Sequence, residues 1–324
     1  MKRCILALVI ILPQLLWAQG KLLNENELNQ QEIFFSMKSA LKEPEKVLRL
    51  YLDSYDTLTS EIGKMVNLQD LDISGLKITE LPSEISTLRM LQLLRVADMP
   101  KFNIVKTIDQ IKDLPNLISL DFSGFNSVYL ETKNHIQIPE SIGELKTLKK
   151  FFLTYTGVES FPESMGKLIN LEMLDLGSTG IKEVPSWIGR LKNLRVLNLG
   201  GAKEGESNYI TELPDSIVHC INLEELDLNT NNDLNVKKTL MQLSRLPKLK
   251  SLRLDGKDMK EVPKEIGLMK SLNDLSLWGC GLTTLPDEIY TLPNLKEVDV
   301  KYNKFSEAEK EKIKAKAGNI KFNL

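Results

Sequence analysis

Residues 174–199 read LDLGSTGIKEVPSWIGRLKNLRVLNL, and this stretch decides the fold. Alternation at Leu174-Asp175-Leu176 sends both leucines to one side of an extended chain and the aspartate to the other. Ile181, Val184, Ile188, Leu191 and Leu194 follow at spacings of about three, as a returning outer segment requires. Pro185 cannot donate to a strand ladder, so Val184-Pro185 marks the end of the strand-side half. Leu197-Asn198-Leu199 then restarts the pattern. One such unit cannot bury its apolar face alone, whereas stacked neighbours share a continuous core.

Working outward, the first leucine position recurs at Leu50, Leu71, Leu94, Leu120, Phe151, Leu174, Leu197, Leu226, Leu252, Leu275 and Val298. Five of the ten spacings are 23 residues, and the rest run from 21 to 31, so the repeat is in phase along most of the chain. The apolar-proline step returns as Leu81-Pro82, Phe161-Pro162, Leu213-Pro214, Val262-Pro263 and Leu285-Pro286. This order resembles the leucine-rich repeat family, in the class of 23-residue units with Leu-Pro-x-x-Ile-Gly-x-Leu on the outer face. It is similar to the arrays of plant disease-resistance proteins, Ras-pathway scaffolds and many secreted bacterial proteins. The resemblance implies an α/β leucine-rich repeat solenoid, or horseshoe, with a parallel concave β-sheet, short helical or irregular convex segments and helical caps. At about 4.8 Å per strand, eleven strands give a ladder roughly 50 Å long. The 26-residue units at Leu94 and Leu226 lack the apolar-proline step and carry Ile108, Ile111, Leu114 and Leu240, Leu243, Leu246, so their outer segments should be more helical.

The ends read differently. Lys2 and Arg3 precede an apolar run, Ile5–Leu12, and a small residue, Ala18, before Gln19. Residues 1–18 therefore read as a secretory signal, too short to span a bilayer. Residues 19–46 read as an N-terminal helical cap, with Ile33, Phe34, Met37 and Leu41 at helical spacing and Pro44 as the stop. The repeats occupy 47–305. Residues 306–324 read as a capping helix opened by a Ser306/Glu309 capping box, closed by Gly318 and followed by a short alternating strand.

Composition narrows the function. The 324 residues carry 42 basic and 44 acidic side chains, net −2, or −4 once Lys2 and Arg3 are removed, which excludes the basic face of a nucleic-acid binder. Two histidines at 135 and 219 leave little for metal ligation, and no nucleophile elbow, phosphate loop or zinc spacing is present. We expect no catalytic residues, no cofactor and no metal. Cys220 and Cys280 lie three repeats apart in different slots, so no disulfide is expected. Cys280 shares its slot with Thr156, Thr179, Asn231 and Asn303, positions that in this family satisfy inward backbone groups. No asparagine sits in an Asn-x-Ser/Thr triplet, and the chain has no cysteine-rich cap, which points to a bacterial periplasmic, secreted or surface address.

Function then falls to side chains that the core does not need. The outward strand position gives Tyr51, Asp72, Arg95, Asp121, Phe152, Asp175, Asn198, Asp227, Arg253, Ser276 and Asp299, with Leu93, Met173, Val196 and Trp278 beside them. Aspartate is disfavoured in strands yet fills five of these slots. Either the aspartates keep a flat ladder soluble, or they rim a mixed patch with aromatic and Arg anchors that binds a partner. Trp187 stands in a slot otherwise Ser or Glu and reads as solvent-exposed, with a neighbouring turn or a partner as its contact. Insertions between Ser123 and His135 and across Gly200–Tyr209 should leave one rim, where binding loops often sit. The expected function is non-catalytic protein–protein recognition through the concave face and rim loops, by a monomer, toward a protein partner with basic side chains. The alternative is an adhesin or glycan binder stacking sugars on Tyr51, Phe152 and Trp278.

Overall fold

The computed structural model describes residues 20–125, 136–201 and 208–324; the expected signal, His135 and the centres of both insertions lie outside them. The strands are β1 (Ile33–Phe34), β2 (Arg49–Tyr51), β3 (Asp70–Asp72), β4 (Leu93–Arg95), β5 (Ser119–Asp121), β6 (Ile136–Gln137), β7 (Lys150–Phe152) and β8 (Val158–Ser160). They continue as β9 (Met173–Asp175), β10 (Val196–Asn198), β11 (Glu225–Asp227), β12 (Ser251–Arg253), β13 (Asp274–Ser276), β14 (Glu297–Asp299) and β15 (Lys321–Asn323). Thirteen of them form one parallel sheet in chain order, with β6 and β8 paired separately. In each repeat strand the middle residue is buried and its neighbours face out, so Leu174 stands opposite Leu197 and Phe151 inside the solenoid.

Each proline does local work. Pro82, Pro139, Pro162, Pro185, Pro214, Pro263 and Pro286 each stand directly before a five-residue 3-10 turn on the outer side. Their fixed φ suits the start of a turn, and the missing N–H is one that a helix start leaves unpaired anyway. The glycine of Ile-Gly has a separate purpose. A Cβ at Gly189 would lie 2.5 Å from the Ser216 carbonyl oxygen, and one at Gly143 2.7 Å from Ser164 Cβ, so glycine lets successive turns touch. The two 26-residue units replace the turn by α-helices, α3 (Ile104–Ile111) and α4 (Val236–Leu243), capped by the Asn103 and Asn235 side chains.

The beginning of the described chain differs from its sequence reading. Ile33–Phe34 is a strand on β2, and the helix α2 covers Met37–Ala40 alone, capped by Ser36. The open edge of β2 offers backbone partners to a β-branched and an aromatic residue, which outweighs weak helical spacing. Ahead of it, a short helix α1 (Glu25–Asn29) opens with an Asn24/Glu27 capping box. At the other end α5 (Glu307–Lys316) is capped by Ser306, and β15 completes the sheet on β14.

Candidate protein-binding face

Register places Tyr51, Asp72, Arg95, Asp121, Phe152, Asp175, Asn198, Asp227, Arg253, Ser276 and Asp299 side by side in one row across the concave sheet. Every acidic member of that row, and Asn198 with them, has a backbone task. Asp72, Asp121, Asp175, Asn198, Asp227 and Asp299 each accept, on a side-chain oxygen, the N–H two residues ahead. This Asx turn closes the strand and bends the chain inward. Neither sequence reading anticipated it, although an Asp or Asn two residues before a small turn residue was a usable signal.

At one end of the row, Tyr51, Asp72 and Arg95 are tied into a knot. Buried Asp70 receives Arg49 Nε at 3.1 Å, Tyr51 O–H at 2.7 Å and Arg95 at 2.9 Å, while Arg95 Nε also reaches Asp72 at 2.9 Å. Arg49 and Arg95 stand 5.2 and 4.9 Å from the Tyr51 ring centre, and Phe35 meets its edge. Burial and the Asp70 carboxylate raise the Tyr51 pKa. Burial opposes the Arg95 charge, but the Asp70 and Asp72 carboxylates leave its pKa raised. These three sequence candidates are held by their own neighbours.

A stretch of the chain itself crosses the leading ends of strands β2 to β7. Gln69 accepts the Leu23 N–H at 2.9 Å and donates to the Lys21 carbonyl at 2.9 Å. Gln92 donates to the Leu23 carbonyl and to Gln69. Lys150 reaches Glu25 at 2.9 Å, and Arg49 donates to the Asn29 carbonyl. Because Arg49 and Lys150 are outward strand residues, residues 20–29 form a strap over this half of the concave face.

The far half is open. Phe152 and Met173 lie diagonally on adjacent strands, both half-buried. Arg253 is exposed and leans on Asp227 at 3.6 Å and Asp255 at 3.3 Å. Burial raises the Asp227 pKa, partly offset by the Asn229 N–H and Arg253. Trp278 is 43% exposed, and its ring centre lies 4.9 Å from that of Tyr302, which is 76% exposed. Tyr302 adopts φ +58°, a left-handed backbone that costs a bulky residue on the order of 1–2 kcal/mol, where Gly75, Gly124, Gly256 and Gly279 fill the same slot in other repeats. Tyr302 was absent from the sequence candidates because no outward strand slot contains it.

Trp187 is a correction. It is 1% exposed, packed edge-on to Phe161 at 6.1 Å, with its Cβ 3.0 Å from where a Gly166 Cβ would be. Its slot lies above the previous repeat's glycine, so a large ring sinks between turns instead of facing solvent; it is not part of an accessible face.

From β7 onward the inward slot shared by Cys280 is turned to backbone carbonyls, whereas Leu76, Met99 and Phe125 fill it with apolar side chains in the repeats of β3, β4 and β5. Asn231 donates to the Leu199 and Leu228 carbonyls, Asn303 to those of Leu277 and Val300, and Cys280 Sγ lies 3.2 Å from Leu254 O. Asn208, just past the second insertion, bonds Leu176 and Leu199 in the same way. Lys257 takes the slot with an ammonium 2.6 Å from Leu228 O and 2.9 Å from Asn231 O, and burial lowers its pKa to about 8. Cys220 and Cys280 are buried free thiols, both raised to about 11 by burial. Among the described residues no group of three His, Cys, Asp or Glu side chains could hold a metal ion. No helix among them is long and apolar enough to cross a membrane.

The family of leucine-rich repeat regions matches residues 120–246. The fold is shared with a leucine-rich repeat protein of Leptospira interrogans, at TM-score 0.50 and 23% identity over 91% of this chain and 100% of that one. It is shared too with an internalin of Listeria monocytogenes, at TM-score 0.53 and 17% identity over 87% of each chain. With thirteen parallel strands stacked in chain order, the described chain has the leucine-rich repeat solenoid fold, and residues 120–246 carry the match to that repeat family. A curated relative, the uridine 5'-monophosphate transferase of Xanthomonas campestris pv. campestris, is 29% identical over 94 residues. That stretch is 28% of this chain and only 18% of the transferase.

Proposed function

We propose that this chain is a non-catalytic recognition protein, exported from a bacterium behind a signal at residues 1–18, that binds another protein on its concave face. The observation that carries the reading is the open half of that face. Phe152, Met173, Arg253 and Trp278 face outward there, and the core requires none of them. Aromatic and Arg side chains on a rigid sheet are the usual anchors of a protein interface. Asp175, Asn198, Asp227 and Asp299 form a polar surround whose carboxylates suit a partner with basic side chains. The match to a transferase covers less than a fifth of that protein, so it supports no transfer chemistry here.

Affinity capture with the full chain as bait tests this, against a Phe152→Ala, Met173→Ala, Trp278→Ala variant checked for folding by circular dichroism. A protein held by the parent and lost by the variant supports the reading. Equal retention by both baits moves the site off this face. The second reading, glycan binding, is favoured by one observation: the Trp278–Tyr302 pair makes an exposed aromatic platform. It predicts retention on an immobilised glycan array that Tyr302→Ala abolishes.

A further inference from the structure

The slot just before each repeat strand changes character along the ladder. From Lys149 to Lys250 it is charged and pairs with itself: Lys149 with Glu172 at 3.0 Å, Arg195 with Glu224 at 2.8 Å, and Lys250 with Glu224 at 2.9 Å. Before β3 and β4 it holds two glutamines, Gln69 and Gln92, which are 0% and 8% exposed beneath residues 21–23. A neutral amide both donates and accepts, which a lysine or a glutamate cannot do. Gln69 uses both capacities on one stretch of main chain, giving to the Lys21 carbonyl and taking from the Leu23 N–H, and Gln92 takes up the Leu23 carbonyl. Two residues further, Glu25 meets Lys150, and Leu28 is 1% exposed although it is no part of the solenoid's interior core.

We propose that Gln69, Gln92 and Lys150 form a peptide-reading site on the first half of the concave face, which residues 20–29 occupy in cis. In trans it fits a segment of a protein partner with the strap's chemistry and shape, extended over the glutamines and then turning into a short helix. That segment presents main chain to the two glutamines, a carboxylate two residues on for Lys150, and an apolar side chain three residues after that. Main-chain recognition explains how these polar groups can be buried here: the segment that covers them also supplies their hydrogen-bond partners. This inference extends the recognition reading to a second, self-occupied half of the same face.

The test uses the full chain with the strap released by Glu25→Lys and Leu28→Asp, which leaves the reading residues untouched. The probe is a fluorescent peptide of residues 20–31 with the native sequence, followed by fluorescence polarisation. The expected result is binding at least tenfold tighter to the released chain than to the parent, lost when Gln69→Ala and Gln92→Ala are added. Equal affinity for parent and released chain, or binding that survives loss of both glutamines, overturns the proposal. Should the released chain fail to fold, hydrogen exchange on the parent decides. A Leu23 amide exchanging at least 100-fold faster than those of β9 and β10 supports a displaceable strap, and exchange as slow as theirs overturns it. Capture of a partner that depends on Trp278 while the peptide fails to bind would confine recognition to the open half, so the two readings fail separately.

Discussion

Lys257 shows how a repeat constrains one residue. In its part of the stack the inward slot meets carbonyls that face no water, and a lysine satisfies them with a charge that burial penalises. Its folded pKa of about 8 lies below the ordinary value near 10.5, so between those values the unfolded chain holds more protons than the folded one. Stability therefore rises with pH through that window, and the penalty is full below about pH 8. From pH 8 to 9 the folded parent should gain about 1 kcal/mol relative to a Lys257→Met variant, measured by urea unfolding. Above pH 9 the two buried thiols act in the opposite direction, since their pKa is raised in the folded state. The outward aspartates make a second residue-scale point. Asp175 accepts from the Gly177 N–H and from Asn198 Nδ2, so Asp175→Ala should cost about 1–2 kcal/mol of unfolding free energy, and Asp175→Asn much less. Equal losses from the two would deny the Asx turn its role.

Between elements, the controlling contact is turn on turn. A Cβ at Gly189 meets backbone, the Ser216 carbonyl at 2.5 Å, whereas one at Gly180 meets nothing within 4 Å and is opposed only by φ +79°. Gly189→Ala should cost about 2–3 kcal/mol and Gly180→Ala about 1 kcal/mol, read as shifts in thermal midpoint. The Ile-Gly dipeptide was plain in the repeat, yet its purpose was not, because the atom it makes room for belongs to the following unit. Trp187 belongs to the same lesson. Read within its own turn, a tryptophan among serines and glutamates looks exposed; the cavity that takes it is built by Phe161 and Gly166 of the preceding unit.

As a whole the molecule is a one-dimensional stack with two edges. β15 pairs with β14, and above it Phe305, Ile313 and Ile320 are buried by the terminal helix and strand. Removing Ser306–Leu324 bares the β14 edge and that apolar end, and such edges recruit other chains. We expect the truncated chain to run as dimers or larger species in gel filtration where the parent runs smaller; an unchanged elution volume would show the edge to be harmless. The two halves of the concave face also differ only at this scale, one strapped and one open.

The repeat architecture, the interior leucines, the helical outer segments of the two 26-residue units and the row of outward residues were all legible in the sequence. Each follows from periodicity, and periodicity is a property of residues near one another in the chain. The occupation of that row was decided only in three dimensions. Tyr51 and Arg95 are held by Asp70, which stands between them, and residues 20–29 lie on Lys150 through a contact spanning 125 positions. Trp278 gains its aromatic partner from the next repeat. No pattern within a unit encodes these contacts, because each is made where the curvature of the stack brings separate repeats, or the chain's beginning, onto one surface.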